Sequence, residues 1–176
     1  MHFSVHGPYK LPVTNRLVDN AAKSRRAFWE GVETDEEGLS AACGCYIFVI
    51  RKNVNAIPWY VGLTTKRTFA AEAIGLHQVN HYNQSIGATP GRVSPELYLL
   101  AKRTPTGRFA KSSKNSHADI EFLETFMFGV ALNQNVKLRN AKNTGFLRKV
   151  VVPGVINTPK RAPTKPERSL KAALGI

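Results

Sequence analysis

The sequence predicts a single α/β (α+β) domain, with a hairpin and one further strand flanked by helices, and three observations predict it. Two apolar runs, Gly44-Cys45-Tyr46-Ile47-Phe48-Val49-Ile50 and Trp59-Tyr60-Val61-Gly62, meet across Arg51 to Ala56, a polar, Asn-rich connection of the kind hairpins use. Phe69, Ala70, Ala73, Ile74, Leu76 and Val79 recur near helical spacing. Ile120 to Leu132 forms a second helical run with almost no polar face. With 176 residues, 43% of them apolar, the chain can fill one core.

From the N-terminus, Met1 to Pro12 contains Gly7-Pro8-Tyr9 and Pro12, which exclude a helix and give an extended arm with a turn. Leu17, Val18, Ala21, Phe28, Trp29 and Val32 follow close to helical spacing, as one helix or as two broken near Ser24. Gly31 and the acidic run Thr34 to Gly38 end it. Residues 1–40 therefore read as an N-terminal arm and helical extension, 41–156 as the central domain and 157–176 as a basic tail.

Within the central domain Pro58 marks the start of the second hairpin strand, where a missing N–H is tolerated. Thr68 closes a polar loop and caps a helix from Phe69 to about Tyr82. Asn83 to Val93 reads as loop and Glu96 to Lys102 as a third strand. Arg103 to His117, carrying Arg103, Arg108 and Lys111, reads as a mobile basic loop over a binding surface. Ser116-His117-Ala118-Asp119 is similar to a capping box and opens the apolar helix, which should be largely buried. Lys137, Arg139, Lys142, Arg148 and Lys149 then add charge, and Val150-Val151-Val152 is a candidate edge strand. In the tail, Pro159, Pro163 and Pro166 alternate with Lys160, Arg161, Lys165 and Arg168, which predicts disorder and at most a short helix from Ser169.

The net charge of +13 is uneven: residues 1–100 carry 10 Lys/Arg against 8 Asp/Glu, and residues 101–176 carry 15 against 4. Such a half favours a polyanion as partner, although ribosomal and membrane-surface proteins share the pattern. Cys43 and Cys45 are strand neighbours, poorly placed to bridge each other, and read as small buried apolar residues. No apolar run approaches the ~20 residues of a membrane-spanning helix, and no basic segment followed by an apolar one opens the chain. The expectation is a soluble, cytoplasmic protein with no membrane partner.

Glu124 draws attention on physical grounds, because a carboxylate in so apolar a helix costs several kcal/mol unless a cation, a hydrogen-bond network or a metal satisfies it. Alternatively Glu121 and Glu124 point to solvent along a narrow polar stripe, or pair with an arginine. His77 and His81, spaced i, i+4, share a helix face. Without a third ligand nearby in sequence they are a poor zinc site, and contact with DNA or a structural role fits them better.

Gly44-Cys45-Tyr46, then Trp59-Tyr60-Val61-Gly62, a basic loop and helix, and Leu123-Glu124 in a late helix followed by Asn135 resemble, in that order, the GIY-YIG nuclease family over roughly residues 40–140. The resemblance implies a small mixed sheet of about three strands flanked by helices, one divalent metal, Mg²⁺ or Mn²⁺, and hydrolysis of a phosphodiester of DNA, with RNA as the alternative nucleic acid. Tyr46 would help deprotonate or orient the attacking water, Tyr60 would steady the site, and Glu124 would hold the metal. Lys66, Arg67, His77, His81, Arg103, Arg108 and Lys111 would contact the nucleic acid, and Lys66 and Arg67 would supply the cationic help that a phenol of pKa ~10 needs to act as a base. The family's helix arginine is absent: the two registers place Glu72 or Ala70 there. Three readings follow: Arg67 supplies that charge, Glu72 joins Glu124 in a different metal site, or the chain binds nucleic acid without cutting it.

Overall fold

Antiparallel pairing organises the chain. In the computed structural model, which describes residues 1–115, 117–139, 149–158 and 161–175, the elements are β1 (His2–Lys10), β2 (Val13–Thr14), β3 (Leu17–Val18), α1 (Ala22–Asp35), β4 (Gly44–Lys52), β5 (Asn55–Thr64), α2 (Phe69–Glu72), α3 (Leu76–Gly87), β6 (Ser94–Arg103), α4 (Ala118–Gln134) and α5 (Lys165–Leu174). The main sheet runs β1-β6-β4-β5, and every pairing in it is antiparallel. The fold is thus mixed α+β as expected, but the sheet has four strands rather than three and is not of mixed direction.

The fourth strand is the N-terminal arm. Its Gly7-Pro8 step, which breaks any periodic pattern, is absorbed where the register shifts between His6 and Tyr9, so both halves still pair with β6. The hairpin is longer than expected: β4 and β5 continue to Lys52 and from Asn55, leaving only Asn53-Val54 as the turn, with Asn53 at φ +55°. A second small hairpin, β2–β3, occupies the start of the segment read as helix, and α1 begins only at Ala22. The helix expected over 69–82 is two, because the chain turns at Ala73–Gly75, and α3 then covers half of the expected 83–93 loop.

Both faces of the sheet are covered. Tyr46, Phe48 and Ile50 of β4, with Leu97, Leu99 and Ala101 of β6, pack under α1, α2 and α3. Cys43, Cys45, Val61 and Leu100 face α4 through Ile120, Phe128 and Ala131. Both thiols are free and buried, as read from sequence. The Glu96 carboxylate, 2% exposed, is held between strands by Arg51 Nε at 2.8 and 3.0 Å.

Three expectations fail locally. α4 is not largely buried: Phe122, Phe126 and Val130, at i, i+4 and i+8, are 73%, 58% and 48% exposed, and they form an apolar stripe on its outer side. Val150–Val152 is no strand of the sheet; only Val152 pairs, with Ile156. The tail helix starts at Lys165, four residues before Ser169, because Thr164 and Glu167 close a capping box with Pro166 in the first turn. The box at Ser116, together with Lys142, Arg148, Pro159 and Lys160, lies outside the described residues. No helix among the described residues is long and apolar enough to cross a membrane.

Candidate active site

The hairpin register places the tyrosines. Tyr46 lies opposite Gly62, and Tyr60 opposite Phe48, so the two phenols share one face at diagonal positions. Their rings stack at 6.1 Å with 16° between planes. Gly62 makes this possible: a Cβ there would come within 2.4 Å of Tyr46 Cζ and 2.6 Å of its hydroxyl. Gly44 has an equally tight reason, since its Cβ would meet the Leu100 carbonyl oxygen at 2.0 Å. Beside Tyr60, Pro58 pairs with Val49 while Tyr60 pairs with Phe48, leaving Trp59 as a bulge that sets the aim of its neighbour.

Around the pair stands a polar shell from α2 and α3. The Tyr46 hydroxyl interacts with Gln78 and with the Tyr60 hydroxyl. Gln78 Nε2 in turn donates to Glu72 Oε1 at 2.9 Å. Glu72 also meets Arg67 Nη1 at 3.5 Å, on the exposed side of the loop. The His81 ring stacks on Tyr60 at 5.5 Å, and His77 stands edge-on to it at 4.6 Å, with 3.3 Å between their Nε2 atoms. Tyr82 closes the group from below, stacked on Phe48 at 4.1 Å and donating to the Ala73 carbonyl at 2.8 Å.

The electrostatics keep these groups neutral. Burial pushes the Tyr46 phenol well above its usual pKa, and Tyr82, Tyr60 and Glu72 push it further, against the Gln78 hydrogen bond. Tyr60 is raised by burial and by the charges of Glu124 and Glu72, which together outweigh its hydrogen bond to Tyr46. His81 is lowered by burial, then by His77 and Arg139. At neutral pH the site therefore holds protonated phenols and a neutral His81 imidazole.

Glu124 comes from the other layer. It is half-buried on α4, and its charge acts both on Cys45, which faces α4, and on the Tyr60 phenol. Two carboxylates, Glu72 and Glu124, thus bear on one hydroxyl from opposite sides of β5. Among the described residues no three His, Cys, Asp or Glu side chains converge as a metal cage. Mg²⁺ keeps most of its waters and takes as few as one carboxylate, so Glu124 alone would suffice as its protein ligand.

The basic residues divide. Ser113 N donates to the Thr65 carbonyl at 3.0 Å, so the loop carrying exposed Lys111 and Lys114 lies beside exposed Lys66 and Arg67. Arg108 is exposed on the same connection. Arg103 is engaged within the fold instead, by Ser4, Glu36 and the Gly107 carbonyl, with its guanidinium 3.8 Å from the centre of the Phe109 ring.

Sequence reasoning missed Gln78 and Arg139. Gln78 carried a signal, a polar residue four positions from Ile74 and from Tyr82 on the apolar side of its helix. Arg139 carried none. Its backbone N–H bonds the Trp59 carbonyl and its Nη2 bonds the Gln84 carbonyl, which brings its charge beside His81. Comparison with models of protein families, with curated proteins and with solved structures finds no match to this chain.

Proposed function

We propose that this chain is a divergent GIY-YIG-like endonuclease that hydrolyses phosphodiester bonds of DNA with the help of a divalent metal. The observation that carries the reading is the seating of Tyr46 over Gly62 and against Tyr60, with Glu124 in electrostatic reach of the Tyr60 hydroxyl. Gly62 and both tyrosines of the resemblance are explained by one packing arrangement, and Gly44 by the Leu100 backbone that crosses it. The rim of Lys66, Arg67, Lys111 and Lys114 supports a polyanionic partner.

Glu124 is the residue that would hold Mg²⁺ or Mn²⁺. When bound, the ion supplies positive charge to the phosphate oxygens and acidifies its water. The protein's own groups do the rest. Tyr60, kept protonated by burial, acts as a hydrogen-bond donor that orients the attacking water, while the Tyr46 hydroxyl, held by Gln78, donates to Tyr60 and fixes its direction. Neutral His81 is able to accept a proton beside Tyr60. Arg67 at the rim, 3.5 Å from Glu72 and exposed, can turn toward a phosphate.

A second reading, nucleic-acid binding with reduced or absent cleavage, is favoured by the burial of Tyr46, 1% exposed, and by the absence of an arginine at Glu72 or Ala70. Supercoiled plasmid incubated with purified protein and Mg²⁺ separates the two. The nuclease reading expects nicking that falls about 10²- to 10³-fold in Tyr46→Phe, the range of a lost preorganised hydrogen-bond donor. Binding that survives without any nicking by wild type would leave only the second reading.

A further inference from the structure

A separate cleft lies at the β2–β3 hairpin, away from the tyrosines, and its chemistry is distinct. It has a volume of about 570 Å³, within the range of small-ligand sites. Val13, Ile86, Val93 and Pro95 give it an apolar wall, Arg16 and Arg92 line it with charge, and no carboxylate is among its lining residues.

The hairpin that supplies Arg16 is built against its own turn preference. Val13 pairs with Val18 and Thr14 with Leu17, so Asn15 and Arg16 are the two turn residues. Their φ angles, +52° and +65°, are those of a type I′ turn, where Asn suits the first position and Gly the second. Arginine stands where glycine is preferred, and its backbone is strained for it. That arginine is the one whose guanidinium crosses to the Gly91 carbonyl at 3.1 Å and lines the cleft. Lys52 adds charge to the same segment, its Nζ bonding the Pro90 carbonyl at 3.1 Å, next to Gly91. The turn keeps a side chain that costs local stability, and the gain is a second cation in an apolar cleft.

We infer that this cleft binds a single unpaired nucleotide, with the base against the apolar wall and the phosphate between Arg16 and Arg92. A guanidinium matches phosphate through paired N–H donors, and an apolar wall without carboxylates takes a base of any sequence. The nucleotide has two sources, a free mononucleotide or one residue of a strand.

The test titrates the full chain with adenosine monophosphate, with inorganic phosphate and with a short single-stranded oligonucleotide, reading amide chemical shifts of Gly91, Arg92 and Val93. Saturable shifts with the mononucleotide, tighter than with inorganic phosphate, are expected if the ligand is free. Saturable shifts with the oligonucleotide alone assign the nucleotide to a strand. Arg16→Gly should melt no lower than wild type, because glycine relieves the turn, yet weaken binding about tenfold, the worth of one charge-assisted hydrogen bond. Arg92→Ala should weaken it similarly. The inference is overturned if neither organic probe shifts these amides saturably, if inorganic phosphate binds as tightly as the nucleotide, or if Arg16→Gly binds like wild type. Cleavage plays no part in the readout, so a chain that never nicks DNA still passes or fails it.

Discussion

Gly62 carries no chemistry, yet the candidate site depends on it. Its missing side chain is the space in which the Tyr46 ring lies, 2.4 Å from where a Cβ would sit. Gly62→Ala should therefore destabilise the fold by about 1–3 kcal/mol, the usual cost of overpacking, and shift the tyrosine near-ultraviolet dichroism as Tyr46 moves. Urea unfolding followed by both fluorescence and dichroism checks it; an unchanged midpoint would show that the ring has room elsewhere. At this scale the sequence was readable wherever a residue type answers to its own strand. That Tyr46 and Tyr60 belong to one hairpin was legible, but they share a face only because the Trp59 bulge shifts the register by one; alternation from the two-residue turn alone would pair Tyr60 with Ile47 and set them on opposite faces. Gln78 was readable as a polar residue on the apolar side of its helix and was passed over, whereas Arg139 was not, because its role arises from a loop that reaches back to Trp59.

Helix α4 shows what binds one element to the sheet. Its first turn carries Asp119, which accepts from Lys102 Nζ of β6 at 2.9 Å. Burial pushes this carboxyl up, but the Lys102 hydrogen bond and charge outweigh it, and the net pKa lies below the ordinary value. The folded state thus binds this proton less readily than the unfolded chain. The stability it contributes is present above the unfolded carboxyl value of about 4 and is lost as pH falls through the lowered folded value. Asp119→Asn should be less stable than wild type at neutral pH and should lose less stability than wild type on acidification below about pH 4, as urea midpoints across that interval will show. Equal acid sensitivity in both proteins would place the titration elsewhere. Helix existence was legible here from the apolar run, but burial was not. An apolar residue every four positions looks the same whether the core or solvent faces it, so Phe122, Phe126 and Val130 read as core. The tail helix was read as a short one from Ser169, but Thr164 and Glu167 spell its earlier start at Lys165.

Over the whole molecule, the fourth strand was the main feature beyond the sequence pattern. β1 is held by backbone pairing along β6 and not by a hydrophobic alternation of its own; its exposed residues outnumber the rest. Backbone complementarity of that kind leaves no trace in side-chain periodicity. The charge distribution was legible, and it makes a quantitative prediction. If the rim of Lys66, Arg67, Lys111 and Lys114 tracks phosphates, the logarithm of the DNA association constant should fall against the logarithm of salt concentration with a slope of about −3 to −4. A flat dependence would remove the rim from the binding surface. The central claim, that the tyrosine pair and Glu124 form a metal-dependent nuclease site, is tested most directly by the rate at which the chain nicks supercoiled plasmid in Mg²⁺, measured for wild type and for Glu124→Ala side by side. Wild type should nick in a manner that chelation abolishes, and Glu124→Ala should not nick at equal thermal stability; nicking that Glu124→Ala retains in full would contradict the claim.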